Sequence, residues 1–326
     1  MSLNQAITME NQTRVTEFVL LGLSDVRWLQ ILLFFVLLLI YLLTLMANII
    51  IITITLLDRH LQTPMYFLLR NFALVEVGFT SAAIPKALFN LASGTKTVSM
   101  VGCFTECFFH VIVGTADFFL LAAMSFDRYV AICKPLHYAS IMNSRFCGQL
   151  VLGCWVTSFL YVITPLVLLV QLPFCTSHSI DHFFCDIVAV LNVSCTDTHK
   201  LRLMIFLLAT GSILSTFAIT IISYINILST VLRIPSASGR QKAFSTCVSH
   251  FAVASITYGS CIFIYIKPAG SSGVDLSKSV ALLNNLVSPL LNPFIYSLRN
   301  KQVKEALRNT ASCTILFFKN SQCLGQ

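Results

Sequence analysis

Residues 28–57 read WLQILLFFVLLLIYLLTLMANIIIITITLL, a stretch without a single Lys, Arg, Asp or Glu. A helix of about 20 apolar residues crosses the roughly 30 Å hydrocarbon core of a bilayer and satisfies its own backbone hydrogen bonds there. The stretch therefore predicts a transmembrane helix. A transmembrane β-barrel would instead show short segments of alternating hydrophobicity, which this sequence lacks.

Six further apolar runs follow the first. Composition agrees with a membrane protein, because 56% of the 326 residues are hydrophobic, only 10% are charged, and the mean hydropathy is +0.83. A soluble fold of this size needs more polar surface. We therefore predict an all-α membrane protein with a seven-transmembrane helix bundle. The predicted spans are residues 28–57, 64–91, 100–134, 146–170, 201–232, 241–266 and 276–298.

Charge sets the orientation of the bundle. With the C-terminus inside, thirteen of the 21 Lys and Arg residues lie on the cytoplasmic side, which favours an extracellular N-terminus. The glycosylation sequons at Asn11 and Asn192 then both lie outside, and Asn11 is the preferred site. We expect an extracellular segment over 1–27, a membrane domain over 28–298, and a cytoplasmic tail over 299–326 with an amphipathic helix. The basic cytoplasmic face suits membrane lipid and a protein partner, and nucleic acid is not expected.

Four of the 12 cysteines lie on the outer side. Cys103 begins the third span, and Cys175, Cys185 and Cys195 lie in the long loop between the fourth and fifth spans. An oxidising compartment favours two disulfides among them, and the sequence alone leaves three pairings open.

No catalytic constellation occurs in the sequence. It has no glycine-rich phosphate loop, no GxSxG turn and no HExxH motif, so we do not expect an enzyme. The two halves of the bundle show no internal repeat of the kind that transporters often carry. A receptor and an ion channel remain.

Short motifs at the ends of the spans favour a receptor. Asp127-Arg128-Tyr129 closes the third span, Asn292-Pro293-Phe294-Ile295-Tyr296 closes the seventh, and Trp155 lies inside the fourth. This trio resembles the rhodopsin-like (class A) G protein-coupled receptors. A channel would need a polar stripe along a pore, which two buried acids do not supply.

A closer resemblance, to vertebrate olfactory (odorant) receptors, covers nearly the whole chain in order. Its motifs are PMYFL at 64–68, MSFDRYVAIC at 124–133 with PLHY at 135–138, Ser223-Tyr224, KAFSTC at 242–247 with Ser249-His250, and PLLNP at 289–293. Three positions depart from the family pattern: Ala47 replaces Gly before Asn48, Phe126 replaces Tyr before Asp127, and Glu76 stands where most members have Asp. With this resemblance we expect the disulfides Cys103–Cys185 and Cys175–Cys195.

The resemblance implies an activation switch near the cytoplasm. Arg128 beside Asp127 can hold an ion pair that keeps the helix ends closed, although a snorkelling Arg is the alternative. Asn292-Pro293 bends the seventh span, and a kink without signalling is the alternative there. The residues implied are Asp127, Arg128, Tyr129, Tyr224, Asn292, Pro293 and Tyr296, with Tyr224 and Tyr296 meeting near Arg128 in the active state.

Two carboxylates lie in mid-span without a Lys or Arg at their depth. Such groups require a cation or a proton. The resemblance places Glu76 and Asp117 with Asn48 and Asn292 around a sodium or proton site, so we expect them to share Na⁺ or to be partly protonated. No other cofactor is expected.

The ligand pocket is predicted first from helical phase. Counted from Cys103, one face of the third span carries Cys107, His110, Val111, Gly114 and Thr115. The resemblance adds positions from the fifth, sixth and seventh spans, with the loop residues after Cys185 above them. These positions are Leu208, Ser212, Tyr258, Cys261, Ile262, Tyr265 and Asn285. Because most of these side chains are apolar, a small and mostly apolar organic ligand is expected.

Two absences narrow the ligand. His110 stands where amine receptors carry an Asp, and Leu286 stands where opsins carry the retinal-binding lysine, so neither a biogenic amine nor retinal is expected. Cys107 and His110 could instead bind a metal that captures thiols, but neighbours on a helix are more often only neighbours.

The resemblance implies an odorant receptor that activates a stimulatory, olfactory-type heterotrimeric G protein and raises cyclic AMP. The cytoplasmic partner surface comprises Lys134, Arg233, Arg240, Lys242 and the stretch 300–309. Arrestin and trafficking chaperones are further candidate partners, and Cys313 and Cys323 are candidate palmitoylation sites. The expected location is the plasma membrane of olfactory cilia. The alternative is a rhodopsin-like receptor for another small ligand outside the nose.

Overall fold

Long helices dominate the computed structural model. It describes residues 16–174, 178–233, 235–236, 240–241, 248, 251–259, 273–299, 303–306 and 308. The long helices are α1 (Arg27–Leu57), α2 (Pro64–Ser93), α3 (Met100–Cys133), α4 (Ser144–Val170), α5 (His199–Leu232), α6 (described over 251–259) and α7 (Gly273–Arg299). They confirm the seven-helix prediction, and the ends of α1–α5 and α7 agree with the predicted spans to within three residues.

Local sequence explains where several helices begin and end. Asn143 caps α4, because its side chain accepts the Phe146 N–H at 2.9 Å, and Ser99 caps α3 by accepting the Gly102 N–H at 3.1 Å. The α2 helix begins at Pro64, whose fixed φ suits a first turn. It ends at Ser93, and the next residue, Gly94, has a φ of +73°, the left-handed cap conformation that glycine adopts most easily.

The faces of the helices are those of a protein in lipid. Among the described residues, α1–α5 are each long and apolar enough to cross a membrane. Large apolar side chains such as Trp28, Phe35 and Leu39 of α1 point outward and are exposed, whereas polar side chains such as Asn48 and Glu76 are buried. Polar groups inside and apolar groups outside are the arrangement that a bilayer favours.

The α3 helix is central. It packs against α2, α4 and α5, while α7 packs against α1 and α2. The largest buried cluster joins α1–α4 near their cytoplasmic halves and includes Tyr66, Phe72, Leu120 and Met124.

A small sheet covers the outer end. Its strands are β1 (Glu17–Leu20), β2 (Thr97–Ser99) and β3 (Ser179–Ile180), with β1 in the middle. The β1 strand runs antiparallel to β2 and parallel to β3. Phe18 of β1 is fully buried against the rings of Phe104 and Phe174. The segment before α1 is therefore tied to two loops.

Short helices complete the connections. They are the 3₁₀ turns Arg59–Leu61 and Pro135–His137 and the α-helical turns Tyr138–Ile141 and Ile187–Leu191. Residues 303–306 are also helical, within the stretch where an amphipathic helix is predicted.

Candidate ligand pocket and activation switch

A cavity of about 250 Å³ lies in the outer half of the bundle. Its walls come from α2, α3, α4, α5, α6 and α7, and its roof comes from the loop after Cys185. Six residues that the sequence predicted as ligand-binding line it: His110, Val111, Gly114, Thr115, Leu208 and Ser212. Gly114 leaves room for the Phe79 ring of α2 beside the cavity, because a Cβ at position 114 would lie 3.0 Å from a carbon of that ring.

The roof residues Asp186, Ile187 and Val188 belong to the loop after Cys185, which the sequence predicted above the ligand. The other lining residues were not predicted. They come from α2 and α4, which the prediction did not include, and from further turns of α3, α5, α6 and α7. They are Glu76, Phe79, Asp117, Phe118, Tyr161, Pro165, Ile205, Ala209, Ile213, Thr257, Asn284, Ser288 and Pro289.

Three predicted pocket residues lie elsewhere. Cys107 does not line the cavity, because the roof loop lies over it and its thiol donates to the Cys185 carbonyl oxygen at 3.0 Å. Tyr258 lies one layer behind the wall, with its ring 5.5 Å from that of Phe118. Asn285 is turned to its own helix and donates to the Ala281 carbonyl at 2.8 Å. Cys261, Ile262 and Tyr265 lie outside the described residues.

His110 is held rigidly in the wall. Its ring stacks on Phe79 at 4.7 Å between centroids and meets Phe184 at 4.6 Å. The Nδ1 atom is buried without a hydrogen-bond partner. Because two aromatic rings fix the imidazole, it is a preformed polar group at the outer part of the cavity.

A disulfide holds the roof in place. It joins Cys103 at the start of α3 to Cys185 in the loop, as predicted, and Cys195 is also disulfide-bonded, whereas Cys175 lies outside the described residues. Asp186 follows immediately and caps the helical turn Ile187–Leu191, since its carboxylate accepts the Val188 and Ala189 N–H groups. The bridge and the cap together place Ile187 and Val188 over the cavity.

Two ion pairs connect segments at the outer end of the bundle. Lys278 of α7 pairs with Asp181 of the roof loop, and Lys96 pairs with Asp25 at 2.6 Å. The hydrogen bond and charge of Lys96 hold the pKa of Asp25 below its ordinary value. Burial lowers the pKa of His182, with Lys278 acting in the same direction and Asp186 opposing it. The loop thus holds an imidazole that favours its neutral form.

The mid-span acids lie at the deep end of the same cavity. Glu76 accepts a hydrogen bond from the Asn292 side chain, while Asn48 donates to the Pro289 carbonyl at 3.2 Å. Asp117 Oδ1 and Asn292 Oδ1 are buried without hydrogen-bond partners. The described lining contains no Lys or Arg that could neutralise these carboxyl groups. The two carboxyl groups and the unpaired amide oxygen are oxygen ligands that fit a monovalent cation, or they can share a proton. No cluster of three or more His, Cys, Asp or Glu side chains suited to a metal occurs in the described part of the chain.

The cytoplasmic end of α3 carries the second predicted feature. Arg128 forms an ion pair with Asp127, to whose Oδ2 its Nε also donates at 3.0 Å, and both side chains are buried. Tyr138 adds a contact that the sequence did not predict, since its hydroxyl donates to Asp127 Oδ1 at 2.8 Å. Burial, with the charge of Asp127, raises the pKa of Tyr138. Among the described residues, the ion-pair partner of Arg128 is therefore Asp127 of the same helix.

The structure describes some of the other residues that were predicted for the activation switch. Tyr224 is buried in α5, with its ring edge-on to Phe251 of α6 at 5.4 Å. Lys134 lies over the Tyr129 ring at 5.9 Å. Pro293 lies within α7, which also contains Pro289. The side chain of Tyr296 and all of Lys242 lie outside the described residues.

Comparison with known proteins identifies the family. Residues 37–312 match a family model described as olfactory receptor. The chain belongs to the olfactory receptor family. Human olfactory receptor 6C1 is 54% identical over 309 residues, which cover 95% of this chain and 99% of that receptor. Human olfactory receptor 6C74 is 52% identical over the same lengths.

A solved structure agrees on the fold. The crystal structure of squid rhodopsin superposes with a TM-score of 0.69 over 90% of this chain and 88% of that one, at 16% sequence identity. Members of the olfactory receptor family are multi-pass membrane proteins and signalling receptors rather than enzymes. Family membership confirms the resemblance that the sequence motifs indicated.

Proposed function

We propose that this member of the olfactory receptor family binds a small, mostly apolar organic odorant in the bundle and activates a stimulatory, olfactory-type G protein, which raises cyclic AMP. The observation that carries the proposal is the cavity of about 250 Å³ beneath the Cys103–Cys185 loop. Its volume is below the roughly 300–1,000 Å³ of pockets for drug-sized ligands, so it suits a smaller molecule.

The route from ligand to switch begins at Phe118. This side chain lines the cavity, and its ring lies 5.5 Å from Tyr258 of α6, which also contacts Phe217 at 5.2 Å. A ligand that displaces Phe118 moves Tyr258 and with it α6. The ligand and the G protein then favour the same conformer, so each stabilises binding of the other.

The cytoplasmic end supplies the partner surface. The described cations of this surface suit a G protein α subunit and anionic lipid. They are Lys134, Arg233, Arg240, Lys304 and Arg308. Arrestin and trafficking chaperones are further proposed partners. The proposed location is the ciliary membrane of olfactory sensory neurons.

The proposal includes a cation or proton at the deep acids. Glu76, Asp117 and Asn292 would hold it, with Asn48 steadying α7 at Pro289. A bound Na⁺ would neutralise charge that the bundle otherwise leaves buried. The basal activity and its dependence on Na⁺ and pH are expected to change in Glu76→Gln and Asp117→Asn. Unchanged dependence in both variants would argue against the site.

Cyclic AMP measurements in cells that carry trafficking chaperones test the coupling. A panel of volatile molecules is applied to the wild type and to Arg128→Ala, with surface staining of both. We expect one or more panel members to raise cyclic AMP through the wild type only, and only in cells that contain a stimulatory α subunit. A response that persists without that subunit would contradict the proposed partner.

A further inference from the structure

Many hydroxyl groups of the transmembrane helices are used inside their own helices. A Ser or Thr side chain in a helix can donate to the carbonyl oxygen one turn earlier. In α3 the Ser125 hydroxyl donates to the Leu121 carbonyl at 2.9 Å, and in α5 the Thr216 hydroxyl donates to the Ser212 carbonyl at 2.7 Å. The proton of such a hydroxyl is satisfied, so the group needs no other acceptor.

The Thr115 hydroxyl of α3 is not used in this way. It forms no hydrogen bond with any residue that the structure describes, although the Val111 carbonyl precedes it by one turn of the same helix. Its oxygen nevertheless keeps accessible surface, unlike the Thr44 hydroxyl, which also has no hydrogen-bond partner but is completely buried. Within the described chain, the Thr115 hydroxyl is therefore both unpaired and accessible.

The accessible surface of Thr115 belongs to the cavity. The residue lines the cavity together with Val111 and Phe118, which lie one turn before and one turn after it on α3. Lipid does not cover this part of the helix, because α3 is the central helix and none of its residues from 110 to 133 is exposed. The hydroxyl therefore faces the space that a ligand would occupy.

The other Ser and Thr hydroxyls of the described wall already have partners. Ser212 donates to the Ala209 carbonyl at 2.8 Å. The Thr257 and Ser288 hydroxyls bond to each other at 3.3 Å. Among the Ser and Thr side chains in the described part of the wall, Thr115 is thus the one whose proton has no acceptor.

An unpaired hydroxyl in a site of low polarity favours a ligand with an acceptor atom. A donor that loses water without gaining an acceptor destabilises the complex. An ionised acid could accept the proton, but the described lining has no Lys or Arg to stabilise its charge. A carbonyl oxygen accepts the proton without a charge, and it brings no proton of its own that would need a further acceptor.

We propose that the ligand of this cavity is a neutral carbonyl compound, such as a ketone, aldehyde or ester, whose oxygen accepts a hydrogen bond from Thr115. The proposal rests on the cavity being the ligand site of the proposed function. Because Val111 and Phe118 flank Thr115 on the same face of α3, the carbon chain of the anchored ligand packs against them. Thr115 thereby selects the ligand and places it beside Phe118, where the proposed route to α6 begins.

Binding to the purified full-length receptor tests the proposal without a G protein. Each member of a panel of ketones, aldehydes and esters is paired with the alkene in which a CH₂ group replaces the carbonyl oxygen, so that size and shape are matched. Affinity is measured from thermal stabilisation at increasing ligand concentration. We expect the carbonyl compounds that bind to do so about threefold or more tightly than their alkenes, which is the usual effect of one hydrogen bond.

Three results with the wild type would overturn the proposal. They are a smaller preference for the carbonyl compound, a preference for the alkene, and the absence of any carbonyl compound that binds. Alcohols are included in the panel as a second class of neutral ligand. A receptor that binds alcohols and no carbonyl compound gives the third result.

Variants of Thr115 locate the effect. Thr115→Val removes the hydroxyl and keeps the branched shape, so the preference for the carbonyl compound should fall below about twofold. Thr115→Ser keeps a hydroxyl and should retain most of the preference. Thr115→Ala takes the place of Thr115→Val if that variant does not fold. A preference that survives removal of the hydroxyl overturns the assignment to Thr115.

Thr216→Val is the matched control. It makes the same chemical change in α5, but the Thr216 hydroxyl is bonded within its helix and the residue does not line the cavity. We expect this variant to keep the wild-type preference. A loss equal to that in Thr115→Val would show that the preference depends on the packing of the bundle and would overturn the assignment.

Tyr161→Phe separates Thr115 from the tyrosine hydroxyl of the wall. Tyr161 lines the cavity from α4, with its ring edge-on to Phe119 at 6.0 Å, and a phenyl ring can keep that contact. We expect Tyr161→Phe to keep the preference. A loss in Tyr161→Phe without a loss in Thr115→Val would assign the hydrogen bond to α4 and overturn the proposal.

The failure of this inference differs from the failure of the proposed function. A receptor that prefers carbonyl compounds but never raises cyclic AMP would reject the proposed coupling and leave this inference standing. Cyclic AMP responses to ligands that bind no better than their alkenes would reject this inference and leave the coupling standing.

Discussion

Tyr138 donates its hydroxyl hydrogen to Asp127 across 2.8 Å, so the loop after α3 holds the same carboxylate that holds Arg128. In the proposed switch, this contact stabilises the closed arrangement. Tyr138→Phe removes the hydrogen bond and keeps the ring. We expect basal cyclic AMP to rise by up to about fivefold, since a hydrogen bond contributes roughly 1 kcal/mol to the balance of two states.

Tyr41→Phe is the matched control for this variant. It also removes a tyrosine hydroxyl with one hydrogen bond, to Ser81 at 3.1 Å, but far from Arg128. Basal activity normalised to surface amount is the measurement. An equal rise in both variants, or none in Tyr138→Phe, would contradict the role of Tyr138.

Gly114 controls the width of the cavity. In Gly114→Ala the added methyl group would lie 3.0 Å from Phe79, so the ring must move toward His110 or into the ligand space. We expect at least a severalfold loss of ligand potency at normal surface amounts. Gly153→Ala in α4, where a Cβ would contact nothing within 4 Å, is expected to keep the wild-type potency.

The Asp181–Lys278 pair ties the roof to α7. Asp181 is half-exposed, so the pair contributes at most about 1 kcal/mol. Lys278→Gln is expected to speed ligand dissociation by up to about fivefold, most clearly at low salt. The exchange Asp181→Lys with Lys278→Asp should slow dissociation again, and its failure to do so would show that charge pairing is not the cause.

His182 makes the roof sensitive to pH. Because burial lowers its pKa, the folded loop favours the neutral ring, and an unfolded loop binds a proton more readily. The loop is therefore most stable above the ordinary histidine pKa of about 6.5 and loses stability as the pH falls below it. We expect thermal stability of the purified receptor to decrease between about pH 7 and pH 5.5.

His182→Phe isolates that effect. A phenyl ring can keep the contacts with Phe183 and Phe184, so we expect a smaller dependence on pH. His199→Gln, an exposed change at the start of α5, should leave the dependence as it is. The same slope in His182→Phe as in the wild type would assign the dependence to other groups.

The helices could be predicted because lipid imposes a strong pattern on the sequence. The span at 28–57 has no charged residue at all, and the motif at Asp127 fixes one end of α3. The sheet could not be predicted, because strands of two to four residues such as Ser179–Ile180 are too short to show alternation. Their partners are 78 or more residues apart in the chain.

Residues of the candidate site could be predicted from the sequence only where their spacing along one helix shows that they share a face. His110 and Gly114 follow from the spacing on α3, but Cys107 on the same face is taken by the Cys185 carbonyl, which depends on the path of a loop. Phe79 and Tyr161 come from helices outside the predicted set, since no local pattern shows which side chains meet across a bundle. Asp186 lies in the loop after Cys185 that was predicted above the ligand, and its capping role also had a usable signal, because an Asp before an apolar run is a typical helix cap.

The placement of β1 has a practical consequence for expression tags. The Thr16 carbonyl accepts the Met100 N–H and Phe18 is fully buried, so this part of the chain is packed into the outer layer. A tag joined ahead of residue 16 leaves the residues of β1 unchanged. A tag that replaces residues 17–20 would remove the middle strand, uncover Ile180, and alter the roof over the site that the tag was meant to help study.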